Sequence, residues 1–516
     1  MTATVSAPFP GPSLTSRFCA VLGDETRPVR APFTGEVLYD LPLSTPDDVV
    51  LAVARAREVQ AGWAQTPLRE RVAVIRRFHD LVLAKRDEAM DILQWETGKA
   101  RGDALEEVLD VCVVAQYYGR LAGRVLRTRR RRGALPLLVG VEEVRRPVGV
   151  VGVITPWNYP LTLAAGDTIP ALIAGNGVIV KPDPQTSLIA AWVADQFLLA
   201  GLPDGLFSVV TGDGPTMGSA VIDSVDYVMF TGSSATGRIV AERCARRLIG
   251  CSLELGGKNA MIIRADADLA RAAEIAVRAC FANTGQLCMA MERIYVHADV
   301  HEEFLAHFIP RVLSLRIATA PGWQGDLGCL VSPEHLARVQ AHVDDALSAG
   351  AIAIAGGRAR PDIGPLAFEP TVLEGVDDSM ILCRDETFGP VVSVYPVLSD
   401  DEAIARANDT AYGLNASILS RDVRAARAMA RRLHSGSVNI NEGYAATWGS
   451  TASPVGGLGD SGLGRRHGEG GLLAFTESQT IATQRFLGFG PQLGLDRERW
   501  GEVLAAAVGA MKHIRF

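Results

Sequence analysis

The 516-residue sequence lacks the patterns that mark most metal and membrane proteins. Its eight cysteines form no C-x-x-C pair and its nine histidines form no H-E-x-x-H cluster, so no metal site is predicted. No run approaches about 18 uninterrupted apolar residues, the length that a membrane-spanning helix needs. Residues 1–20 have neither the basic start nor the apolar centre of a signal peptide. Scattered cysteines in so long a chain indicate reduced thiols, and the sequence predicts a cytoplasmic protein.

Positive charge is clustered in one block of the sequence. The formal net charge is −7, so the molecule as a whole has no field that attracts nucleic acid or anionic lipid. The block is "RVLRTRRRRG", Arg124 to Gly133, with consecutive arginines at Arg129–Arg132. Because no aromatic residues are interleaved with it, it indicates a solvated face or the rim of a subunit contact rather than a nucleic-acid site.

Two periodicities divide the chain. Residues 46–123 carry apolar residues at helical spacing, whereas from Val148 short runs such as "VGVVGVI" and "GVIVK" alternate with helical segments, including 161–174. Strands that recur with helices between them predict a parallel sheet, and a second alternating unit begins near Gly256. Four loops rich in Gly, Pro, Thr and Ser follow the first strands: "TPWNYP", "KPDPQ", "TGDGP" and "TGSSATG". Ligands on such sheets bind at the carboxyl ends of the strands, so these loops predict a nucleotide site.

Two loops, one of those four and one later in the chain, have residues that suggest a chemical role. In "GSSATG", Gly232 to Gly237, two glycines bracket hydroxyl residues at a helix N-terminus, which suits a phosphate but also fits a tight turn without a ligand. In "FANTGQLC", Phe281 to Cys288, a cysteine ends a loop between a helix and a strand. That sulfur is either a nucleophile or one more buried thiol, since a free cysteine usually behaves as a small buried hydrophobe.

Seven motifs together carry a family resemblance. They are "TPWNYP", "KPDPQT", "FTGSSATG", "LELGGKNA", "FANTGQLC", "ETFGPV" and "NDTAYGLNASI". In this order and spacing the sequence resembles the aldehyde dehydrogenase superfamily from about residue 30 to about residue 485. It is most similar to an actinobacterial branch of succinate-semialdehyde dehydrogenases. The resemblance implies oxidation of a small-molecule aldehyde to its carboxylic acid with a nicotinamide cofactor.

The resemblance assigns three catalytic residues. Cys288 matches the nucleophile, whose addition to the carbonyl gives a tetrahedral thiohemiacetal that can release hydride. Asn158 matches the oxyanion donor, acting with the Cys288 backbone N–H, and Glu254 matches the base that activates the water for thioester hydrolysis. Taken singly, the three also fit a buried thiol, a turn amide and a surface carboxylate.

The resemblance also implies an NADP or NAD site. Lys181 matches the lysine at the adenosine ribose, and Glu386 and Phe388 match the clamp on the nicotinamide ribose. The other cofactor residues that it implies are Gly232 and Ser233 at the pyrophosphate turn, Trp157 along the nicotinamide half, and Ile154, Thr155, Pro156, Gly214, Phe230 and Leu255. Where NAD-specific relatives carry a glutamate, Pro184 stands here, so NADP is predicted and NAD is permitted. Asp183 beside it could restore some repulsion of a 2′-phosphate.

The substrate prediction rests on the resemblance alone. It implies succinate semialdehyde, yet the two arginines with which studied relatives bind the substrate carboxylate are replaced by Ala282 and Gly166. Arg465 or Arg466 could take over that role. An apolar or aromatic aldehyde is the alternative substrate. Possible pocket walls for it are Trp448, Tyr159 and Tyr444, each of which is more typical of the core. Two alternatives belong to other functional classes. The protein could be a structural or binding homologue that has lost catalysis, or a thiol esterase without redox function.

The predicted fold is α/β and aldehyde dehydrogenase-like, with a parallel-sheet cofactor domain, an α/β catalytic domain and a small β oligomerisation arm. The predicted segments are a dinucleotide-binding domain (1–123 and 148–255), a catalytic domain (256–465), the arm (124–147 and 466–490) and a C-terminal amphipathic extension (491–516). Because the arm cannot bury its own apolar face, a homodimer or homotetramer is expected. The C-terminal helix either packs on a subunit or contacts a membrane peripherally.

Overall fold

The structure, a computed structural model, describes residues 11–133, 139–485 and 490–512. Its β-strands are β1 Thr26–Arg30, β2 Val37–Pro42, β3 Arg129–Arg132, β4 Val139–Pro147, β5 Val150–Ile154, β6 Gly177–Lys181, β7 Phe207–Val209, β8 Tyr227–Thr231, β9 Gly250–Glu254, β10 Asn259–Ile263, β11 Met291–His297, β12 Ile352–Ala355, β13 Thr371–Glu374, β14 Val391–Val397, β15 Tyr412–Gly413, β16 Asn415–Leu419, β17 Ser437–Ile440, β18 Leu458–Gly459, β19 Gly462–Leu463 and β20 Thr476–Gln484.

The α-helices are α1 Gly11–Leu14, α2 Pro46–Gln65, α3 Leu68–Ala84, α4 Arg86–Thr97, α5 Arg101–Val125, α6 Pro160–Gly166, α7 Thr168–Ala174, α8 Ser187–Leu199, α9 Ser219–Ser224, α10 Ser234–Arg247, α11 Leu269–Phe281, α12 His301–Leu313, α13 Pro333–Ser348, α14 Ile381–Arg384, α15 Asp400–Asn408, α16 Val423–Ala430, α17 Ala445–Trp448, α18 Gly468–Leu473 and α19 Arg497–Met511. Within the described residues, no helix is long and apolar enough to cross a membrane.

The first sheet has the strand order β19-β9-β8-β5-β6-β7. Strands β5 to β9 run parallel, and every residue of β5 and β6 is buried, as their continuous Val/Ile runs predict. Strand β5 pairs with β6 on one side and with β8 on the other. Since the strand order reverses there, a crevice opens between the loops that follow β5 and β8.

The second sheet has the order β12-β13-β14-β11-β10-β16-β17 and is parallel except at its β12 edge. Helix α11 packs on it through a stripe of alanines and Phe281, and the loop with "FANTGQLC" leads from that helix to β11. The two sheets with their helices confirm the predicted α/β fold class. The division of the chain into domains stays a prediction.

A third, antiparallel sheet has the order β20-β4-β3. Its first strand is the arginine run itself, Arg129–Arg132, which is largely exposed and pairs with β4. Residues 134–138, between β3 and β4, lie outside the described part. Glu143 on β4 forms ion pairs with Arg131 and Arg145, so the neighbouring strand compensates part of the positive charge.

The helix predicted for residues 161–174 is two helices. They are α6 and α7, separated at Asp167. Pro170 has no N–H to donate to the carbonyl of Gly166, so one helical hydrogen bond is missing at the junction. The break leaves the Asp167 side chain free to pair with Arg466, as described below.

The predicted C-terminal helix is present as α19. Its apolar residues are largely exposed, with Val503 and Val508 on the surface, and Trp500 is its one buried side chain among those described. Whether a neighbouring subunit or a membrane covers this face stays a prediction.

Candidate active site

A cavity of about 280 Å³ lies between the two larger sheets, at the carboxyl ends of their strands. Ten of the residues predicted from the sequence line it: Pro156, Trp157, Asn158, Gly232, Ser233, Glu254, Leu255, Cys288, Glu386 and Phe388. The other five are not part of its wall: Ile154, Thr155, Lys181, Gly214 and Phe230. The structure thus brings the three predicted catalytic residues to one space.

The loop that presents Cys288 is strained. Asn283 and Thr284 have φ values of 50° and 58°, in the left-handed region that non-glycine residues rarely adopt. Gly285 follows at φ 70°, with its backbone so close to Gly389 that a Cβ atom would lie 2.0 Å from the Gly389 carbonyl oxygen. The loop is held in a rare conformation, as is common at functional sites.

Cys288 is half-buried at the cavity wall. Burial raises the pKa of its thiol to about 12, and the carboxyl groups of Glu386 and Glu254 add to that rise. Its backbone carbonyl accepts a hydrogen bond of 2.7 Å from Asn259 Nδ2. The surroundings of Cys288 therefore favour the neutral thiol, and the thiolate forms only when a base takes the proton.

Asn158 follows β5 and is held on several sides. Its carbonyl oxygen accepts hydrogen bonds from Lys99 Nζ at 2.7 Å and from Asn283 Nδ2 at 3.0 Å. Its side-chain Nδ2 donates to the carbonyl of Gln286 at 3.1 Å. Because an amide nitrogen carries two hydrogens, this bond orients the group and leaves a second N–H for an oxyanion.

Glu254 ends β9 and is buried. Burial raises the pKa of its carboxyl group to about 8; Arg466 opposes that rise and Asp167 adds to it. Its Oε1 atom is buried without a hydrogen-bond partner among the described residues. A carboxylate with such a pKa and a free lone pair suits a base that accepts a proton from water near neutral pH.

Arg466 lines the cavity, whereas Arg465 is absent from its wall. Arg466 is buried and bonds the Asp167 carboxylate through Nε at 3.0 Å and Nη2 at 2.8 Å, and Nη2 also donates to Thr231 Oγ1. Arg465 donates to the backbone carbonyls of Gly457 and Gly464. Two arginines act on the Glu254 carboxyl group, and Arg466, the one in the cavity wall, is thus already paired with a carboxylate.

The wall toward Phe388 is aromatic. Trp157 meets the Phe388 ring edge-on at 5.6 Å, and His335 Nε2 donates to the Phe388 carbonyl at 2.7 Å. Glu386 accepts a hydrogen bond of 2.8 Å from the N–H of Gly257. A Cβ atom on the neighbouring Gly256 would lie 2.5 Å from Glu386 Oε2, so a larger residue there would displace the Glu386 carboxylate.

The other end of the cavity has the chemistry of a phosphate site. Ser233 caps α10, and its Oγ accepts the N–H of Thr236, so N–H groups of the first helical turn face the loop. A Cβ atom on Gly232 would lie 2.6 Å from the Phe230 ring, which explains the glycine. The aromatic wall, the glycine cradle and the helix N-terminus together fit a nicotinamide dinucleotide.

Lys181 ends β6, outside the cavity wall. It is buried, and burial lowers the pKa of its amine, while Asp183 and Asp213 oppose that change. Asp183 accepts the N–H of Gln185 at 2.9 Å and so caps the turn Pro184–Thr186. Burial raises the pKa of its carboxyl group. Asp183 therefore serves the turn and repels a phosphate less than a free carboxylate would.

The three aromatic residues named as possible pocket walls lie in the cavity wall: Tyr159, Tyr444 and Trp448. Tyr444 and Trp448 also pack with Cys288 in one apolar cluster. Leu163, Leu287, Met289 and Val455 extend this wall, together with the carboxyl groups of Glu106 and Asp110. Glu106 is bonded to Tyr444 Oη at 3.0 Å and to Arg278 at 3.0 Å.

Several residues at the site were not predicted from the sequence. His335 and Arg338 line the cavity from α13, and Lys99 and Glu107 lie fully buried behind Asn158. Glu107 gives a signal that sequence reasoning can use, because it lies in the buried stripe of α5 beside Ala104 and Val108. A carboxylate in an apolar stripe needs a buried partner.

Comparisons with known proteins agree with this geometry. Residues 21–481 match the family described as the aldehyde dehydrogenase family. A protein of Mycolicibacterium smegmatis, provisionally named succinate-semialdehyde dehydrogenase (NADP+), is 50% identical over 95% of this chain and 95% of its own. The 4,4′-diapolycopene aldehyde oxidase of a Methylomonas species is 38% identical over 88% of this chain and 85% of its own. The crystal structure of Staphylococcus aureus betaine aldehyde dehydrogenase with NAD+ is 32% identical, with a TM-score of 0.85 over 91% of this chain and 93% of that one.

Replacing Gly285 by alanine tests the strained loop. The added Cβ would meet the Gly389 carbonyl at 2.0 Å in a left-handed backbone, so we expect a loss of about 1–3 kcal/mol in unfolding free energy. We also expect at least about tenfold lower turnover, because a displacement of about 1 Å at a catalytic group costs that much or more. Thermal unfolding and steady-state rates measure both. Gly102→Ala, in a helix with open space at its Cβ, is the control; equal behaviour of the two variants would contradict the strain argument.

The pH dependence of thioester hydrolysis tests Glu254. Because its pKa is raised to about 8, the base form is minor at neutral pH and predominates above that value, so hydrolysis should accelerate as pH rises through about 8. Glu254→Gln should lower the rate by about 10²- to 10⁴-fold and remove that rising limb. The rate is measured on the acyl-enzyme formed with p-nitrophenyl acetate. A Glu254→Gln variant with the same limb would assign the titration to another group.

Proposed function

We propose that this chain, which belongs to the aldehyde dehydrogenase family, oxidises an aldehyde to its carboxylic acid through a covalent intermediate on Cys288. The NAD(P)-dependent dehydrogenase activity follows from the family; the residue roles are our proposal. The observation that carries them is the convergence of Cys288, Asn158 and Glu254 on one cavity.

In the first half-reaction the Cys288 thiol gives its proton to solvent and its sulfur adds to the aldehyde carbon, so that the carbonyl oxygen becomes an oxyanion. The second N–H of Asn158 Nδ2 and the Cys288 backbone N–H donate to that oxygen. One such donor is typically worth about 3 kcal/mol of barrier. Bound NADP or NAD supplies the acceptor for the hydride that leaves the carbon. The product on the chain is a thioester at Cys288.

In the second half-reaction Glu254 takes a proton from water, and the resulting hydroxyl oxygen attacks the thioester carbon. The carbon–sulfur bond then breaks, which releases the carboxylic acid and regenerates the Cys288 thiolate. Burial supports the role of Glu254, since a raised pKa lets the carboxylate accept a proton at neutral pH and return it afterwards.

For the substrate, succinate semialdehyde is the first candidate, because relatives at 50% identity carry that name. An apolar or aromatic aldehyde is the second, and the cavity wall favours it. That wall is built from Tyr159, Tyr444, Trp448 and aliphatic side chains and also carries Glu106 and Asp110. Of the two arginines in that wall, Arg338 and Arg466, the one that acts on Glu254 is Arg466, and it is paired with Asp167. A relative that oxidises 4,4′-diapolycopene aldehyde by name fits the second candidate.

For the cofactor, NADP is the first candidate and NAD the second. Relatives are named for NADP, while similar crystal structures hold NAD+. Lys181 supplies a positive charge, Pro184 lacks a carboxylate, and Asp183 is engaged in capping its own turn. In our proposal Trp157, Glu386 and Phe388 hold the nicotinamide half, and Gly232 and Ser233 hold the pyrophosphate.

We also propose a homodimer or homotetramer in the cytoplasm. The sheet β20-β4-β3 supports the assembly, because β20 is exposed along almost its whole length and ends that sheet. An exposed edge strand of this kind readily pairs with another chain. All eight cysteines are free, which suits a reducing compartment.

A substrate panel tests the reaction and ranks the two substrate classes. Succinate semialdehyde, hexanal and benzaldehyde are each offered with NADP and with NAD, and reduced cofactor is followed by absorbance. We expect formation of reduced cofactor with at least one of them and none with Cys288→Ser. The larger kcat/KM identifies the substrate class. A folded protein that reduces neither cofactor with any aldehyde would falsify the proposal.

Pro184→Glu tests the cofactor preference. A carboxylate at this position should repel a 2′-phosphate and raise the Kd for NADP by about tenfold or more, because two charges at close range near a protein surface interact by a few kcal/mol. The Kd for NAD should stay the same or fall. Calorimetric titration measures both constants, and Pro184→Gln is the uncharged control. An equal effect of Glu and Gln would show that the charge is not the cause.

A further inference from the structure

Two buried lysine–glutamate pairs lie directly behind the loops of the cavity. Lys99 pairs with Glu107, and both side chains are 0% exposed. Lys258 pairs with Glu292 at 2.5 Å, with side chains 1% and 6% exposed. Neither pair lines the cavity, and neither takes part in the steps described above.

The first pair connects to Asn158. Lys99 Nζ donates to the Asn158 carbonyl at 2.7 Å and lies 4.3 Å from the centre of the Tyr159 ring. Glu107 Oε2 accepts the backbone N–H groups of Leu161 at 2.9 Å and Thr162 at 3.1 Å. These two N–H groups belong to the first turn of α6, whose N-cap has no side-chain hydrogen bond. The pair therefore fixes the backbone on both sides of Tyr159.

The Cys288 loop depends on the same junction. Asn283 Nδ2 donates both to the Asn158 carbonyl and to the Gln286 carbonyl, each at 3.0 Å. The Gln286 side chain in turn bonds Cys329 and Val331. The Asn158 carbonyl thus has two donors, one from the nucleophile loop and one from Lys99.

The second pair makes the equivalent contacts in the second sheet. Glu292 Oε1 accepts the N–H of Thr387 at 3.0 Å and the N–H of Phe388 at 2.9 Å. Phe388 has a φ of 59°, a conformation that a bulky residue rarely adopts without support. The pair therefore holds the backbone that presents Phe388 next to Trp157.

Stability alone does not explain such pairs. Burying two charges costs more desolvation energy than their attraction returns in many proteins, and well-packed neutral residues of similar size are often as stable. What neutral residues lose is the set of directed hydrogen bonds to the loops. A group that must stay within about 0.5 Å of its productive position requires that kind of support.

We propose that the two pairs are positioning pairs with separate tasks, the Lys99–Glu107 pair for the oxyanion donor Asn158 and the Lys258–Glu292 pair for the cofactor clamp at Phe388. The inference rests on the proposed function, since it takes from it the roles of Asn158 and Phe388. It adds four residues to the site and states which half of the site each pair serves.

Crossed measurements on two neutral double variants test the proposal. The variants are Lys99→Met/Glu107→Gln and Lys258→Met/Glu292→Gln, in which the glutamine still offers an oxygen to the backbone N–H groups. The first measurement is the burst of p-nitrophenolate from p-nitrophenyl acetate without cofactor, in which Cys288 sulfur displaces p-nitrophenolate and keeps the acetyl group. The second is the Kd for NADP by calorimetry.

The expected result is a crossed pattern. The Lys99 variant should lose about ten- to a hundredfold in burst rate, as for a displaced oxyanion donor, with a Kd for NADP within about twofold of the unaltered chain. The Lys258 variant should raise that Kd by about tenfold or more and keep the burst rate within about twofold. The single variants Glu107→Gln and Glu292→Gln should show the same pattern with smaller effects, so an unfolded double variant leaves the test intact.

The control is the surface pair Arg243–Asp223, in which both side chains are about half exposed, changed to Arg243→Met/Asp223→Gln. It should leave both measurements unchanged. Parallel losses of burst and affinity in either test variant, together with a lower melting temperature, would overturn the proposal in favour of a general structural role. Unchanged values in both would overturn it too. A missing burst in the unaltered chain would instead refute the acyl-transfer chemistry of the proposed function.

Discussion

The backbone carbonyl of Asn158 is the junction on which the rest of the site depends. Lys99 reaches it from the short loop between α4 and α5, and Asn283 reaches it from the loop that precedes Cys288. One oxygen atom therefore fixes the distance between the first sheet and the nucleophile loop. Because the Asn158 side chain bonds the Gln286 carbonyl, the same contact also sets the direction of its free N–H.

Burial of the ionisable groups in the cavity is the second constraint. Burial raises the pKa of the nucleophile and of two carboxyl groups in the cavity wall, Cys288 to about 12 and both Glu254 and Glu386 to about 8. A nucleophile and a base that both start protonated would be inactive in a static site. In the proposed cycle Cys288 gives up its proton before it adds to the aldehyde, hydrolysis regenerates its thiolate, and Glu254 needs its anionic form only when it takes a proton from water. Arg466, fixed by Asp167, is a nearby positive charge that limits the rise in the pKa of Glu254.

The sequence predicts the parts of the site that depend on parallel strands. Asn158, Ser233 and Glu254 lie at or just beyond strand carboxyl ends, and strands of one sheet bring such ends to one edge. The contacts between segments far apart in the sequence were not predictable. Lys99 meets Asn158, and Asp167 meets Arg466, through contacts that no local pattern encodes. The aromatic wall stayed open between pocket and core for the same reason, since the sequence does not show which elements pack against a tryptophan such as Trp448.

The central claim is that Cys288 carries the acyl group during aldehyde oxidation. The most direct measurement is mass spectrometry of the whole chain, quenched during turnover with NADP and the best aldehyde of the panel, followed by peptide mapping. We expect a mass increase equal to the acyl group of that aldehyde, located on the peptide with Cys288. The acylated chain should accumulate in Glu254→Gln. An acyl group on another residue, or steady oxidation without any acylated chain in either form, would contradict it.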